Sequence, residues 1–281
     1  MSRLWDDFVA SFALFGQSYL TGLGAAMLLA LVGVFALARR QSFLGVVVAQ
    51  ASTLGIAVVL ALGTAFAEHH DLHGTPLAAG ILFAVVTALL AGRRAAGATD
   101  EAVGVWVYVT ASALAVLLLA HGPHGLEEIQ RLTFSTLIGA DEHDLIQIGV
   151  LLAAALALTL GFGRSSLLCA VDPAFAGAIG LRVGLRNAVL SVALGLCIAV
   201  AIHTTGTLFS IASLTLPPLA ARRLARTMLG TLALAPLLAG CATLVGFVLA
   251  NGYDYPLGQV AAAVEALVVA CAVPLGHLRR D

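Results

Sequence analysis

The segment AEHHDLHG, at positions 67–74, carries the densest group of potential metal ligands in the 281-residue chain. Imidazole nitrogens and carboxylate oxygens are common ligands of divalent transition metals, and short histidine-rich tracts are typical of metal binding. The segment therefore predicts a weak site that collects a divalent cation, with an ordinary polar loop as the alternative interpretation. Its three histidines and two carboxylates are His69, His70, His73, Glu68 and Asp71.

Two further polar groups lie within or beside long apolar runs. Glu265 is the only acidic residue well inside such a run, and a charge at that depth is costly and usually faces a cavity or a partner. The alternatives are that it pairs with a polar group between helices or is protonated. His203, followed by Thr204 and Thr205, is a candidate transient ligand for a passing cation. An interfacial histidine is the alternative interpretation there.

The composition indicates which elements hold these residues. The chain is 60% hydrophobic and 10% charged, with a mean hydropathy of +1.03, whereas soluble domains carry about 25% charged residues. Apolar runs long enough to cross a bilayer recur throughout. We therefore predict an all-α polytopic membrane protein, a single domain over 1–281, with about eight transmembrane helices and a re-entrant half-span at 205–219. The predicted transmembrane spans are 18–38, 43–65, 76–92, 103–120, 145–162, 187–204, 228–250 and 257–276.

The arginines orient these spans. When the spans alternate in direction, twelve of the fourteen arginines fall at one end, all except Arg3 and Arg131. By the positive-inside rule this is the cytoplasmic end. The chain has no lysine, which excludes a Walker A phosphate loop, so any ATP would be bound by another subunit. The four cysteines are scattered and predict no zinc cluster, and no basic, aromatic-rich patch indicates nucleic acid.

The segment TLPPLAARRLARTM, at 215–228, places two adjacent prolines and three arginines at the cytoplasmic end. The prolines are expected to end the half-span and to begin a new helix. On a helix over 219–228 the arginines share one face, which predicts a short amphipathic helix. It is either a basic loop that sets topology and touches anionic lipid or a docking helix for a cytoplasmic partner. The candidate docking residues are Pro217, Pro218, Ala220, Ala221, Arg222, Arg223 and Arg226.

Four stretches resemble the permease subunits of bacterial zinc/manganese/iron ABC importers. The resemblance runs over about residues 18–276. The stretch LARRQSFLGVVVAQASTLGIA (37–57) is similar to the first cytoplasmic turn of that family. The stretch YDYPLG (253–258) is similar to its last outward turn. The stretch VDPAFAGAIGL (171–181) is similar to its cytoplasmic Asp-Pro segment. The stretch TGTLFSIASLTLPPLAARRLAR (205–226) resembles its apolar half-span and the residues that follow.

The resemblance implies a transport subunit that is not itself an enzyme. It implies a homodimeric or pseudo-dimeric permease in the bacterial inner membrane, two cytoplasmic ATPase subunits, and a periplasmic or lipid-anchored metal-binding protein. No cofactor is expected to be stably bound, since the divalent metal is transported and ATP is hydrolysed on the partner subunit. The resemblance also implies that the segment from Pro217 to Arg226 is the coupling helix seated on the ATPase. Asp172, followed by Pro173, is expected to cap a cytoplasmic helix.

The chain departs from the pattern of that family at the start of the second span. The family usually has Gly-Asp-x-x-x-His-Ala there, whereas this chain reads GVVVAQA, with Val46 and Gln50 replacing the aspartate and the histidine. The change removes two good ligands for zinc or manganese. The predicted path-lining polar residues are Gln50, Ser52, His203, Thr205 and Glu265.

The sequence therefore predicts the permease subunit of an ATP-driven importer for zinc, manganese or iron. One alternative is an ABC permease for a metal chelate or another substrate. The other is a proton-coupled secondary transporter with Glu265 and His203 as its relay, which gives no reason for the docking helix. An intramembrane enzyme would need a catalytic constellation that the sequence does not show.

Overall fold

The computed structural model describes residues 2–65, 75–92, 98–120 and 137–278, together with positions 127 and 130. The described part of the chain contains helices joined by short turns and no strand, which confirms the predicted all-α class. A short 3₁₀ turn, Leu137–Gly139, precedes the second half of the chain. The α-helices are α1 (Ser2–Ala38), α2 (Ser42–Ala65), α3 (Thr75–Gly92), α4 (Ala98–Ala120), α5 (Glu142–Val171), α6 (Pro173–Ala178), α7 (Val183–Thr205), α8 (Thr207–Leu224), α9 (Met228–Tyr253) and α10 (Leu257–Leu278).

Eight of the described helices are long and apolar enough to cross a membrane: α1 to α5, α7, α9 and α10. The number agrees with the prediction, but several helices extend beyond the predicted spans. α5, predicted over 145–162, begins at Glu142 because Asp141 and Asp144 form a reciprocal capping box between their side chains and backbone N–H groups. A hydropathy window detects only the apolar middle of such a helix.

α1 lies at the centre of the bundle and packs against α5, α7, α8 and α9. Leu28, Leu29 and Val34 on this helix are fully buried. At the periphery, α4 and α5 expose large apolar side chains such as Trp106 (66% exposed) and Leu160 (85% exposed). Extended apolar surface of this kind is expected where helices face lipid. The bundle therefore has a buried centre around α1 and α8 and a lipid-facing rim.

α8 occupies the place of the predicted half-span and reverses the chain direction at a single glycine. Gly206 joins α7 to α8 with φ 78°, a backbone region that favours glycine. α8 therefore begins at the end of the bundle where α7 stops and returns toward the end that carries the arginines. Its 18 residues correspond to about 27 Å of helix.

The expectation that Pro217 and Pro218 end this helix was wrong, because α8 continues through both prolines to Leu224. Each proline lacks the N–H that would bond the carbonyl four residues earlier, so Pro218 leaves the Leu214 carbonyl without its helical donor. The Leu214 carbonyl lies against Gly33 of α1, and a methyl group added to Gly33 would overlap this carbonyl oxygen. Close packing inside the protein makes the interrupted helix tolerable, which a local propensity rule does not detect.

Arg39 ties three helices together at the arginine-rich end. Its guanidinium donates to the Ser191 hydroxyl of α7 at 3.1 Å and to the Gly92 carbonyl at the end of α3 at 2.8 Å. Burial lowers the pKa of the Arg39 guanidinium. Because the side chain extends from the end of α1, these two bonds fix the relative positions of α1, α3 and α7 at this end.

Candidate functional site

A buried carboxylate lies at the contact between α8, α9 and α10. Glu265 of α10 is 1% exposed. Ser213 of α8 donates its hydroxyl to Glu265 Oε1 at 2.8 Å, and Thr243 of α9 donates to the same oxygen at 3.4 Å. Ser213 and Thr243 are themselves fully buried. The three side chains thus form one polar cluster, the carboxylate cluster, inside an apolar helix bundle.

The second oxygen of this carboxylate has a different environment. Glu265 Oε2 is buried and has no hydrogen-bond partner among the residues that the structure describes. Leaving a buried polar atom unpaired costs about 1–3 kcal/mol, and more for a charged group. The carboxylate cluster is therefore satisfied on one side only, which is unusual for a group that serves packing alone.

A second pair of hydroxyls continues the polar surface along α8. Ser210 and Thr205 are buried and their hydroxyl oxygens lie 2.9 Å apart. Ser210 and Ser213 are three residues apart, so they share one face of the helix, about 4.5 Å apart along its axis. This polar face of α8 links Thr205, near the turn at Gly206, with the carboxylate cluster. Two of the five predicted path residues, Thr205 and Glu265, therefore lie at the two ends of one polar surface. Ser210 and Ser213, which the prediction omitted, lie between them.

The other predicted path residues lie elsewhere. His203 is half-buried and two positions from Thr205 on α7, so the two side chains do not share a helix face. Ser52 of α2 is fully buried, and its hydroxyl lies beside Gly80 of α3, where an added methyl would be 3.1 Å away. Gln50 is half-buried, two positions before Ser52 and on a different face of α2.

The candidate outer-loop ligands His69, His70 and His73 lie outside the described residues. The described part of the chain contains no group of three or more histidine, cysteine, aspartate or glutamate side chains placed to hold a metal ion.

The candidate docking segment at the end of α8 divides into a buried and an exposed part. Its prolines and alanines pack inside the chain, whereas its three arginines are exposed. The helix predicted over 219–228 was wrong, because α8 ends at Leu224, Ala225 is extended, and Thr227 caps α9 by accepting from the Gly230 N–H at 3.0 Å. The buried residues are Pro217, Pro218, Ala220 and Ala221, and the exposed residues are Arg222, Arg223 and Arg226.

The short helix α6 forms a second exposed surface at the same end of the bundle, between α5 and α7. As predicted, Asp172 caps it: the carboxylate accepts from the Phe175 N–H at 2.9 Å, and Pro173 is the first helical residue. Two large apolar side chains near this turn, Phe175 and Ile179, are 53% and 54% exposed. The signal in the sequence is a pair of large apolar residues, one inside and one directly after a capped helix that lies outside the predicted spans.

Among the described residues, eight helices long and apolar enough to cross a membrane surround a buried polar face and end on an arginine-rich side, which is the organisation of a multi-pass membrane protein. The chain belongs to the ABC 3 transport family, whose family model matches residues 11–275. This membership confirms the family resemblance seen in the sequence. It also confirms the prediction that the chain is a transport subunit and not an enzyme.

Relatives of known role are similar over most of their length. The manganese import system permease protein ScaB of Streptococcus parasanguinis is 24% identical over 262 residues, which cover 93% of this chain and 90% of ScaB. The zinc transport system membrane protein TroC of Treponema pallidum is 27% identical over 253 residues, which cover 88% of this chain and 82% of TroC.

A solved structure has the same fold. A chain of PsaBC from Streptococcus pneumoniae, in complex with Fab, superposes with a TM-score of 0.79 at 20% sequence identity. The alignment covers 95% of this chain and 94% of that chain. The arrangement of helices described above is therefore also found in an experimentally determined structure.

Proposed function

We propose that this chain is the permease subunit of an ATP-driven importer for a divalent transition metal, namely zinc, manganese or iron. The observation that carries the proposal is the family match over residues 11–275, together with relatives named for manganese import and zinc transport. The chain lacks lysine, so it has no Walker A loop, and ATP hydrolysis belongs to a separate cytoplasmic subunit.

The proposed assembly contains two copies of this permease in the bacterial inner membrane, two ATPase subunits and a periplasmic or lipid-anchored metal-binding protein. The binding protein delivers the ion to the outer mouth, where His69, His70 and His73 are proposed to collect it. The ion then passes polar groups that bind it weakly, because conduction requires release as well as capture. We assign this role to Gln50, Ser52, His203, Thr205 and Glu265, with Ser210 and Ser213 of α8 as additional oxygen donors.

The proposed contact with the ATPase has two parts at the arginine-rich end. The exposed arginines at the end of α8 supply charge-assisted hydrogen bonds, while the buried prolines and alanines anchor them to the bundle. The exposed apolar side chains of Phe175 and Ile179 supply a hydrophobic contact from α6. Apolar anchors beside arginines are typical of protein interfaces. ATP-driven movement of the partner would then act on α8 directly.

The experiment that tests the proposal is metal uptake by cells that express the chain together with its proposed ATPase and metal-binding protein partners. Zinc, manganese and iron are each offered to the wild type, Glu265→Gln and Arg223→Glu. We expect ATP-dependent accumulation of at least one metal by the wild type and its loss in Arg223→Glu. If none of the three accumulates while the complex is assembled and its ATPase is active, the substrate is a chelate or another ligand, and the proposal fails.

A further inference from the structure

We propose that Glu265, Ser213 and Thr243 form an oxygen-only site within one protomer that binds a hard divalent cation, of the manganese class and not the zinc class. The inference rests on the proposed function and specifies its substrate class. It starts from the unpaired Glu265 Oε2, which is buried without a hydrogen-bond partner among the described residues. A bound cation would supply the partner that this oxygen lacks.

The two hydroxyl oxygens lie near one oxygen of the carboxylate, at distances that are also found between neighbouring ligands of a metal ion. Ser213 Oγ and Thr243 Oγ1 lie 2.8 Å and 3.4 Å from Glu265 Oε1. Neighbouring oxygens of an octahedral shell with bond lengths of about 2.1 Å are separated by about 3 Å. Each hydroxyl uses its hydrogen toward Oε1, so its oxygen lone pairs remain able to bind a cation. The three groups come from α8, α9 and α10, so the site would couple the positions of three helices.

A cation explains the cluster better than a proton does. Both hydroxyls donate to Oε1, which marks this oxygen as the acceptor. Protonation would turn Oε2 into a hydrogen-bond donor, and no described residue lies in place to accept a hydrogen bond from Oε2. A cation in contact with Oε2 would instead neutralise the carboxylate and complete its environment, which is how buried charges are normally accommodated.

The donor set determines the class of cation. Carboxylate and hydroxyl oxygens suit magnesium, calcium and manganese, whereas zinc prefers imidazole nitrogen and thiolate sulfur. Among the described residues, Glu265 belongs to no group of three or more histidine, cysteine, aspartate or glutamate side chains placed to hold a metal ion. Three protein oxygens leave the remaining positions to water, so binding would be weak and exchangeable, as passage requires.

The test uses the full-length permease with its ATPase partner in lipid nanodiscs. Mn²⁺ is titrated and free Mn²⁺ is followed by electron paramagnetic resonance, for the wild type, Glu265→Gln and Ser213→Ala. The matched control is Thr21→Val, which removes another buried hydroxyl on α1 that lacks a partner among the described residues. We expect the wild type and Thr21→Val to bind one more Mn²⁺ per chain than Glu265→Gln, and Ser213→Ala to bind that ion about tenfold more weakly.

Competition with Zn²⁺ tests the class of ion. An equal concentration of Zn²⁺ is expected to leave most of the Mn²⁺ that depends on Glu265 in place. The inference is overturned if Glu265→Gln and Ser213→Ala bind as much Mn²⁺ as the wild type, or if Zn²⁺ displaces that ion completely. If the site binds Mn²⁺ as expected but the complex shows no ATP-dependent uptake of any metal, the proposed function fails and the site stands.

Discussion

Burying Glu265 in the centre of the bundle is costly, because a carboxylate loses its hydration there. A residue that only joined α8, α9 and α10 could be a neutral amide or hydroxyl with every atom paired. Instead, one carboxylate oxygen accepts two hydroxyls and the other has no partner among the described residues. At the scale of single residues, we therefore expect this side chain to contribute to transport and to reduce the stability of the empty protein.

Replacing Glu265 with leucine tests this expectation. Apolar replacement of a buried charged group is often neutral or stabilising, because the desolvation cost disappears. We expect the thermal midpoint of Glu265→Leu to equal or exceed that of the wild type, while metal uptake falls at least about tenfold. The thermal midpoint is measured in detergent and uptake in cells, with Thr21→Val as the control for loss of a buried polar group. A clear drop in the midpoint with unchanged uptake would show that the carboxylate is structural.

At the scale of helices, most elements follow from the apolar runs, since length and hydropathy alone define a spanning helix. The packing between helices could not be predicted from the sequence, and this packing overrides local helix propensity. Pro217 and Pro218 break a helix in isolation, yet inside the bundle α8 continues through both, with its freed Leu214 carbonyl packed against α1. The partners of Glu265 were missed for a related reason. Ser213 and Thr243 are visible as hydroxyls in apolar segments, but a single sequence does not show which helices are neighbours.

The contact between α1 and α8 at Gly33 yields a prediction about stability. A methyl group at Gly33 would overlap the Leu214 carbonyl, which is backbone and cannot rotate away. We expect Gly33→Ala to lower the free energy of unfolding by about 1–3 kcal/mol, the usual cost of overpacking. Titration with sodium dodecyl sulfate in mixed micelles measures this free energy.

The matched control is Gly149→Ala on α5, where an added methyl meets nothing within 4 Å. This change is expected to be neutral or to stabilise the helix by up to about 1 kcal/mol, because alanine has the higher helix propensity. Equal effects of the two substitutions would contradict the close approach of α1 and α8.

At the scale of the whole molecule, the bundle joins a membrane core to an exposed end that carries arginines and an unpartnered apolar helix. The proposed docking by α6 predicts that Phe175→Glu weakens co-purification of the ATPase with the permease, because a carboxylate in an apolar contact is costly to desolvate. Phe175→Leu, which keeps the apolar character, is expected to retain binding. Full retention of the ATPase by Phe175→Glu would exclude α6 from the interface.

The measurement that tests the central claim most directly is transport by the purified complex in proteoliposomes. The vesicles contain a metal-sensitive dye, and the binding protein is added outside with zinc, manganese or iron. We predict that metal enters only when the ATPase subunits are present and ATP is available on their side. Entry driven by a proton gradient without ATPase subunits would contradict the importer mechanism and favour a secondary transporter that uses Glu265 as its proton carrier.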